Sequence, residues 1–148
     1  NLNTILDEVL MLHAKQLQEN DVKIKTNFFD DLEEVVASTN QLRQVFLNMI
    51  SNARDAMPKG GILNVSNMQE NGFAKVRFSD TGVGISEENI EKIFDSFFTT
   101  KDSVKGVGLG LSVCYGFIKD HGGDITVKSS KGDGTTFTIS LPIDPPEE

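Results

Sequence analysis

Three glycines set one residue apart, Gly106, Gly108 and Gly110, run straight into an apolar pattern at helical spacing: Leu111, Val113, Cys114, Phe117 and Ile118. That junction constrains the fold more than any other stretch. A glycine turn feeding a helix N-terminus presents unpaired backbone N–H groups, and the helix dipole adds positive potential, so phosphate is the natural guest. Upstream, Phe94 and Phe97 bracket the start of a polar segment with Thr99, Thr100, Lys101 and Lys105. The composition from Asp95 to Lys105 predicts a mobile lid between an aromatic anchor and a glycine hinge. Three rival templates fail. No glycine is followed by the Lys-Ser/Thr pair of a Walker loop. Leu111 stands where a dinucleotide fingerprint needs its third glycine. Cys114 stands where a nucleophile elbow needs its last one.

The chain has 148 residues, enough for one domain with a real core. Its 14 basic and 22 acidic residues leave a net charge of −8, which argues against nucleic acid or an anionic membrane as the main partner. A nucleotide stays compatible, because Mg²⁺ and local dipoles can carry its charge. One cysteine excludes an internal disulfide and suits the cytosol. No apolar run approaches the roughly 20 residues of a membrane-spanning helix. The chain opens without Met and directly in a helical pattern, as a piece of a longer protein would.

In chain order, Leu2, Ile5, Leu6, Val9, Leu12 and Leu17 predict an amphipathic helix to about Gln18, and Val22–Phe28 alternates as a strand. The acidic run Asp30, Asp31, Glu33 and Glu34 reads as a solvated loop, and Val35–Ser38 as a short strand. Residues 40–57 form a second helix whose apolar face carries Leu42, Val45, Phe46, Met49, Ile50, Ala53, Ala56 and Met57. At roughly 100° per residue, Gln41, Gln44, Asn48, Asn52 and Asp55 line one edge of that face. Amides beside an apolar face suit polar groups that must be fixed and partly desolvated without burying charge. Strands at 62–68 and 74–80 make a hairpin around Glu70-Asn71-Gly72.

Asp80-Thr81-Gly82-Val83-Gly84 then puts a carboxylate at a strand end, followed by glycines that let a planar ligand approach the backbone. Ser86, Glu88 and Asn89 read as a capped start of a short helix to about Phe94. The helix from Leu109 stops at His121-Gly122-Gly123, where an imidazolium suits the dipole. Strands near 124–129 and 135–141 follow, joined by Lys131-Gly132-Asp133-Gly134. Cys114 reads as core.

Four motifs stand in one order: Asn48-x-x-x-Asn52-Ala53, Asp80-x-Gly82-x-Gly84, Gly106-x-Gly108-x-Gly110-Leu111-Ser112 and Gly132-x-Gly134-Thr135. With Phe94-x-x-Phe97-Phe98-Thr99-Thr100-Lys101 between the second and third, nearly the whole chain resembles the catalytic ATP-binding domain of a bacterial sensor histidine kinase. The Thr-Thr-Lys block is most similar to the nitrogen-regulation and sporulation type. The resemblance implies an α+β fold, the Bergerat two-layer sandwich of a mixed sheet on about three helices. It implies ATP and Mg²⁺ as ligands. Asn52 would ligate the metal, and Asn48 would support metal and phosphates. Asp80 would accept from the adenine amine with Thr135 alongside, and Gly82 and Gly84 would admit the base. Gly106, Gly108, Gly110 and Leu111 would form the lid hinge, braced by Phe94 and Phe97. Thr99, Thr100, Lys101 and Lys105 would lie near the phosphates.

In related ATPases the position of Asn48 is typically a Glu that activates water. An amide cannot act as that base, which favours transfer over hydrolysis. Neither His13, followed by Ala14, nor His121, followed by Gly122, precedes the acidic residue expected after a phosphoacceptor, so the acceptor belongs to a separate dimerisation domain. The implied partners are that domain and a response-regulator receiver domain, with a monomeric, cytoplasmic catalytic domain inside a homodimeric parent that is free or membrane-anchored. Two alternatives stand beside this reading, an anti-sigma-factor-type serine kinase and a nucleotide-binding regulatory module.

Overall fold

The amphipathic patterns become three helices and five strands in a computed structural model that describes residues 2–29, 35, 37–84, 107–129 and 132–143. Helix α1 (Leu2–Glu19) buries Leu2, Ile5, Leu6, Val9, Leu10 and Leu17. Leu12, expected on that face, is 77% exposed. At roughly 100° per residue it lies about 95° from the centre of the buried stripe, whereas Leu10 lies about 65° away. Asp21, at φ 60°, turns the chain out of the helix into strand β1 (Val22–Asn27).

Helix α2 (Thr39–Ala56) starts at Ser38, whose hydroxyl accepts from the Gln41 N–H. The expected strand at Val35–Ser38 is absent at the described positions 35, 37 and 38. The edge of the sheet is taken by β1, and the Ser38 oxygen serves as a helix cap instead. The acidic run from Asp30 to Glu34 and the helix expected from Ser86 lie outside the described residues.

Strands β2 (Gly61–Glu70) and β3 (Phe73–Asp80) form a hairpin whose two turn residues, Asn71 and Gly72, have φ 54° and 83°. Positive φ at both positions is the turn whose twist matches the strands. Helix α3 (Val107–Asp120) closes on Gly122 and Gly123, which donate to the Lys119 and Ile118 carbonyls at 2.9 Å each. That pairing is the glycine stop expected there. His121 does more than end the helix. Its Nε2 accepts from the Ser38 N–H at 3.1 Å, and its Nδ1 lies 2.6 Å from the Phe117 carbonyl. It ties the start of α2 to the end of α3.

Strands β4 (Asp124–Ser129) and β5 (Thr135–Pro142) complete a sheet of order β1-β2-β3-β5-β4, parallel only between β1 and β2. All three helices pack on one face, over Leu63, Val65, Val76, Phe78, Phe137 and Ile139. Phe46 of α2 tilts against Phe78 with ring centroids 5.8 Å apart. The buried Asn67 on that face is satisfied in a closed ring. It accepts from the Phe29 N–H and donates to Asn3 Oδ1, and Asn3 donates to the Phe29 carbonyl. Among the described residues, no helix is long and apolar enough to cross a membrane.

Candidate nucleotide site

The end of β3 and the start of β5 pair directly, so Asp80 sits opposite Thr135. Both are buried, 8% and 5% exposed. Asp80 Oδ1 takes the Gly82 N–H at 2.9 Å and the Thr135 N–H at 3.2 Å. Among the described residues both donated bonds fall on that one oxygen, which leaves Oδ2 as acceptor capacity at the strand end. Burial pushes the Asp80 carboxyl above its ordinary value, and the two backbone donors pull it only part of the way back. The Thr135 hydroxyl is bonded to Ser129 Oγ at 2.8 Å, which fixes its direction.

Two glycines are sterically required around this carboxylate. A Cβ on Gly82 would stand 2.2 Å from the Ala56 carbonyl at the end of α2, and the next residue, Val83, donates to that same carbonyl at 2.9 Å. A Cβ on Gly134, at φ 82°, would stand 2.2 Å from the Asp80 carbonyl. The loop after β3 is therefore pressed onto α2, and the β4–β5 loop onto β3. Gly132 adds a clamp by donating to the Val83 carbonyl at 2.6 Å. The Gly132-x-Gly134 motif was legible in the sequence; its contact with Val83 was not, because nothing local specifies it.

Helix α2 brings the amide stripe to the border with α3. Asn48 and Asn52 are both half-buried. Asn48 Nδ2 donates to the Gln44 carbonyl one turn back at 2.9 Å, and its carboxamide lies against the Cys114 thiol of α3, where it offsets part of the effect of burial on that thiol. Cys114 is fully buried, as expected of a core residue, and burial pushes its thiol up to about 12. Its contact with Asn48 went unforeseen, since apolar periodicity says nothing about which amide a core thiol meets. Asn52 Nδ2 is buried with no hydrogen-bond partner among the described residues. An unpartnered buried donor is costly, and here it lies on the edge expected to meet a metal-bound phosphate. Two carboxamide oxygens one helical turn apart suit a hard cation that keeps most of its shell as water and phosphate oxygen.

Helix α3 begins at Val107, two residues before the expected start, so Gly108 and Gly110 belong to its first turn. Leu111 is buried in the core. Gly106, Phe94, Phe97, Thr99, Thr100, Lys101 and Lys105 lie outside the described residues, as does the expected lid from Asp95 to Lys105. Gly84, at φ 75°, adopts the left-handed backbone beside the carboxylate.

A family described as histidine kinase-, DNA gyrase B- and HSP90-like ATPases matches residues 37–145. Sensor kinase CckA of Brucella abortus is 42% identical over 96% of this chain and 16% of its own length. Sensor histidine kinase ZraS of Escherichia coli is 34% identical over 97% of this chain and 30% of its own length. Sporulation kinase A of Bacillus subtilis is 38% identical over 96% of this chain, which covers 23% of that kinase. The chain thus spans less than a third of each of these relatives. The solved catalytic domain of histidine kinase ThkA superposes with a TM-score of 0.86 at 31% identity, over 99% of this chain and 96% of that one. The chain belongs to the histidine kinase-, DNA gyrase B- and HSP90-like ATPase family, and within it to the ATP-binding catalytic domains of sensor histidine kinases.

Proposed function

We propose that this domain binds Mg²⁺-ATP and transfers its γ-phosphoryl group to a histidine on a separate dimerisation domain of the same kinase. A response-regulator receiver domain then takes the phosphoryl group. The reading is carried by Asp80, a buried carboxylate with one oxygen taking two backbone N–H groups and the other, among the described residues, left to accept. Adenine offers an exocyclic amine to such an acceptor, whereas guanine offers a carbonyl that the carboxylate repels. Thr135 completes the polar edge, and Gly82 and Gly84 leave room for the base. A receiver domain as partner is supported by the relative ThkA, which is known in complex with the response regulator TrrA.

Asn52 would hold Mg²⁺ through its carboxamide oxygen with Asn48 beside it, and its unpartnered Nδ2 would find an acceptor in the bound phosphate or its water. The metal would neutralise charge on the phosphate oxygens. Gly106, Gly108, Gly110 and Leu111 would close the phosphate side, braced by Phe94 and Phe97. Thr99, Thr100, Lys101 and Lys105 would meet the phosphate oxygens.

In the transfer, an imidazole nitrogen forms a bond to the γ-phosphorus while the bond to the β–γ bridging oxygen breaks. ADP leaves with that electron pair, and the imidazole loses its N–H proton to solvent. The chain supplies position and charge neutralisation rather than covalent help. Asn48 cannot take a proton from water, so hydrolysis stays slow while an acceptor imidazole needs no such base.

Calorimetry with ATP, GTP and EDTA controls tests the binding half. Equal affinity for GTP would overturn the role of Asp80. Mixing the domain with a separately produced dimerisation domain should yield an acid-labile, base-stable phosphoprotein. An acid-stable label on Ser or Thr would favour a serine kinase instead. Asn48→Glu should raise ATP hydrolysis at similar or weaker nucleotide affinity, and rapid hydrolysis by the native domain would remove the argument from Asn48.

A further inference from the structure

Among the described residues no helix covers the second face of the sheet, and its chemistry is the reverse of the chain as a whole. Strand alternation sends Ile24, Leu63, Phe78 and Phe137 to the helices and their neighbours to the other side. Through the strand register, one row across all five strands reads Lys25, Asn64, Ser79, Thr136, Lys128. In the adjacent row Arg77 stands between Ser66 and Thr138. Lys23 and Lys75 flank these rows on the same side, making five cations on one face. Among the described residues the two acids at its margin are occupied, Glu70 by Lys75 at 3.4 Å and Asp124 by Lys119 at 3.1 Å. Lys23, Lys25, Arg77 and Lys128 are exposed and form no ion pair among the described residues. This positive face belongs to a chain of net charge −8.

Between the cations the side chains are short, and Ser79 and Thr136 already bond each other at 2.9 Å. Short, pre-bonded hydroxyls lose little entropy when covered and leave the surface flat. At about 4.8 Å per strand, Lys25 and Lys128 stand roughly 19 Å apart, the width of a protein contact rather than of one small anion.

We infer that the open sheet face is a docking surface for an acidic protein surface. The complementarity of charge selects the partner. An extended polyanion would run past the patch onto the acidic remainder of the chain and be repelled there. The two rows hold no aromatic ring, so nucleic-acid bases have no platform on which to stack. They hold no apolar side chain, and the apolar residues beside the flanking cations, Ile62 and Met68, are each half-buried, so a lipid surface finds little to anchor in. The site is separate from the nucleotide site, so its failure would leave the proposed phosphoryl transfer untouched.

The probe is a fluorescent Glu/Ala-rich helical peptide, titrated by anisotropy against the native domain, with single-stranded DNA and phosphatidylserine vesicles as comparison arms. The peptide should bind, and binding should weaken markedly between about 50 mM and about 200 mM salt. The triple variant Lys25→Glu, Arg77→Glu, Lys128→Glu should lose at least about tenfold in affinity, and the Gln versions of the same three should lose less. Lys59→Glu, on the turn after α2, should change little, and ATP affinity should stay unchanged in all variants. No peptide binding at low salt, equal loss on Lys59→Glu, or tighter binding of the DNA or vesicles than of the peptide would overturn the inference.

Discussion

Two asparagines, Asn67 on β2 and Asn52 on α2, face the interior of the same domain with opposite outcomes. Asn67 is finished by the chain itself, since its carboxamide closes a ring of bonds with Asn3 and the Phe29 backbone. Asn52 keeps a buried Nδ2 with no partner among the described residues. The first lies four residues along β2 from Leu63, the partner of Asp80, and the second lies on the helix edge beside the candidate site. A buried amide that the fold satisfies is architecture, and one that it leaves unsatisfied is capacity held for a ligand.

The largest effect should fall on the finished side. Asn67→Leu strands the Phe29 N–H and the Asn3 carbonyl, and should cost about 2–3 kcal/mol of stability in urea unfolding. ATP affinity in the folded variant should stay within about twofold. A stability loss below about 0.5 kcal/mol would break the contrast. Next comes Asp80→Asn, which keeps an acceptor but adds a competing donor beside the base. It should lose about 1–3 kcal/mol of ATP affinity by calorimetry, with the preference over GTP shrinking in parallel.

Asn52→Leu sharpens the comparison by its sign. Removing an unsatisfied buried donor should leave stability unchanged or raise it by about 1 kcal/mol, while the Mg²⁺-dependent part of ATP affinity falls. Destabilisation like that of Asn67→Leu would show that Asn52 is architecture too.

The smallest effect concerns pH. Because burial raises the Asp80 carboxyl, its ionised form is the strained one in the folded chain. Its cost to stability is present above the raised folded value and relaxes as pH falls towards the unfolded carboxylate value. Adenine affinity runs the other way. It should begin to fall on acidification at a higher pH than an ordinary carboxylate would allow, and Asp80→Asn should flatten that decline.

The amide stripe of α2 and the position of Asp80 at a strand end were legible because periodicity places them without any knowledge of neighbours. Ser38 was misread because Val-Val-Ala-Ser has strand composition, and only the arrangement of the sheet shows that no neighbouring strand pairs with it. Leu12 and Leu10 exchanged roles because the buried stripe of α1 is set by how the helix packs against α2 and β1. The tie of His121 to Ser38 was hidden because it joins residues 83 positions apart.

By itself the sequence determined the types of the three described helices and five described strands, the α+β class, the order of the four motifs and the ligand chemistry they imply, because each rests on local spacing or on the side chain's own functional groups. Tertiary structure alone decided which buried amide is satisfied and which is not. It also set the meeting of Cys114 with Asn48, the clamp of Gly132 on Val83 and the gathering of Lys25, Arg77 and Lys128 on one open face. Those outcomes join residues far apart in the chain, and hydrogen bonds and charge act through distances in space that no spacing along the sequence encodes.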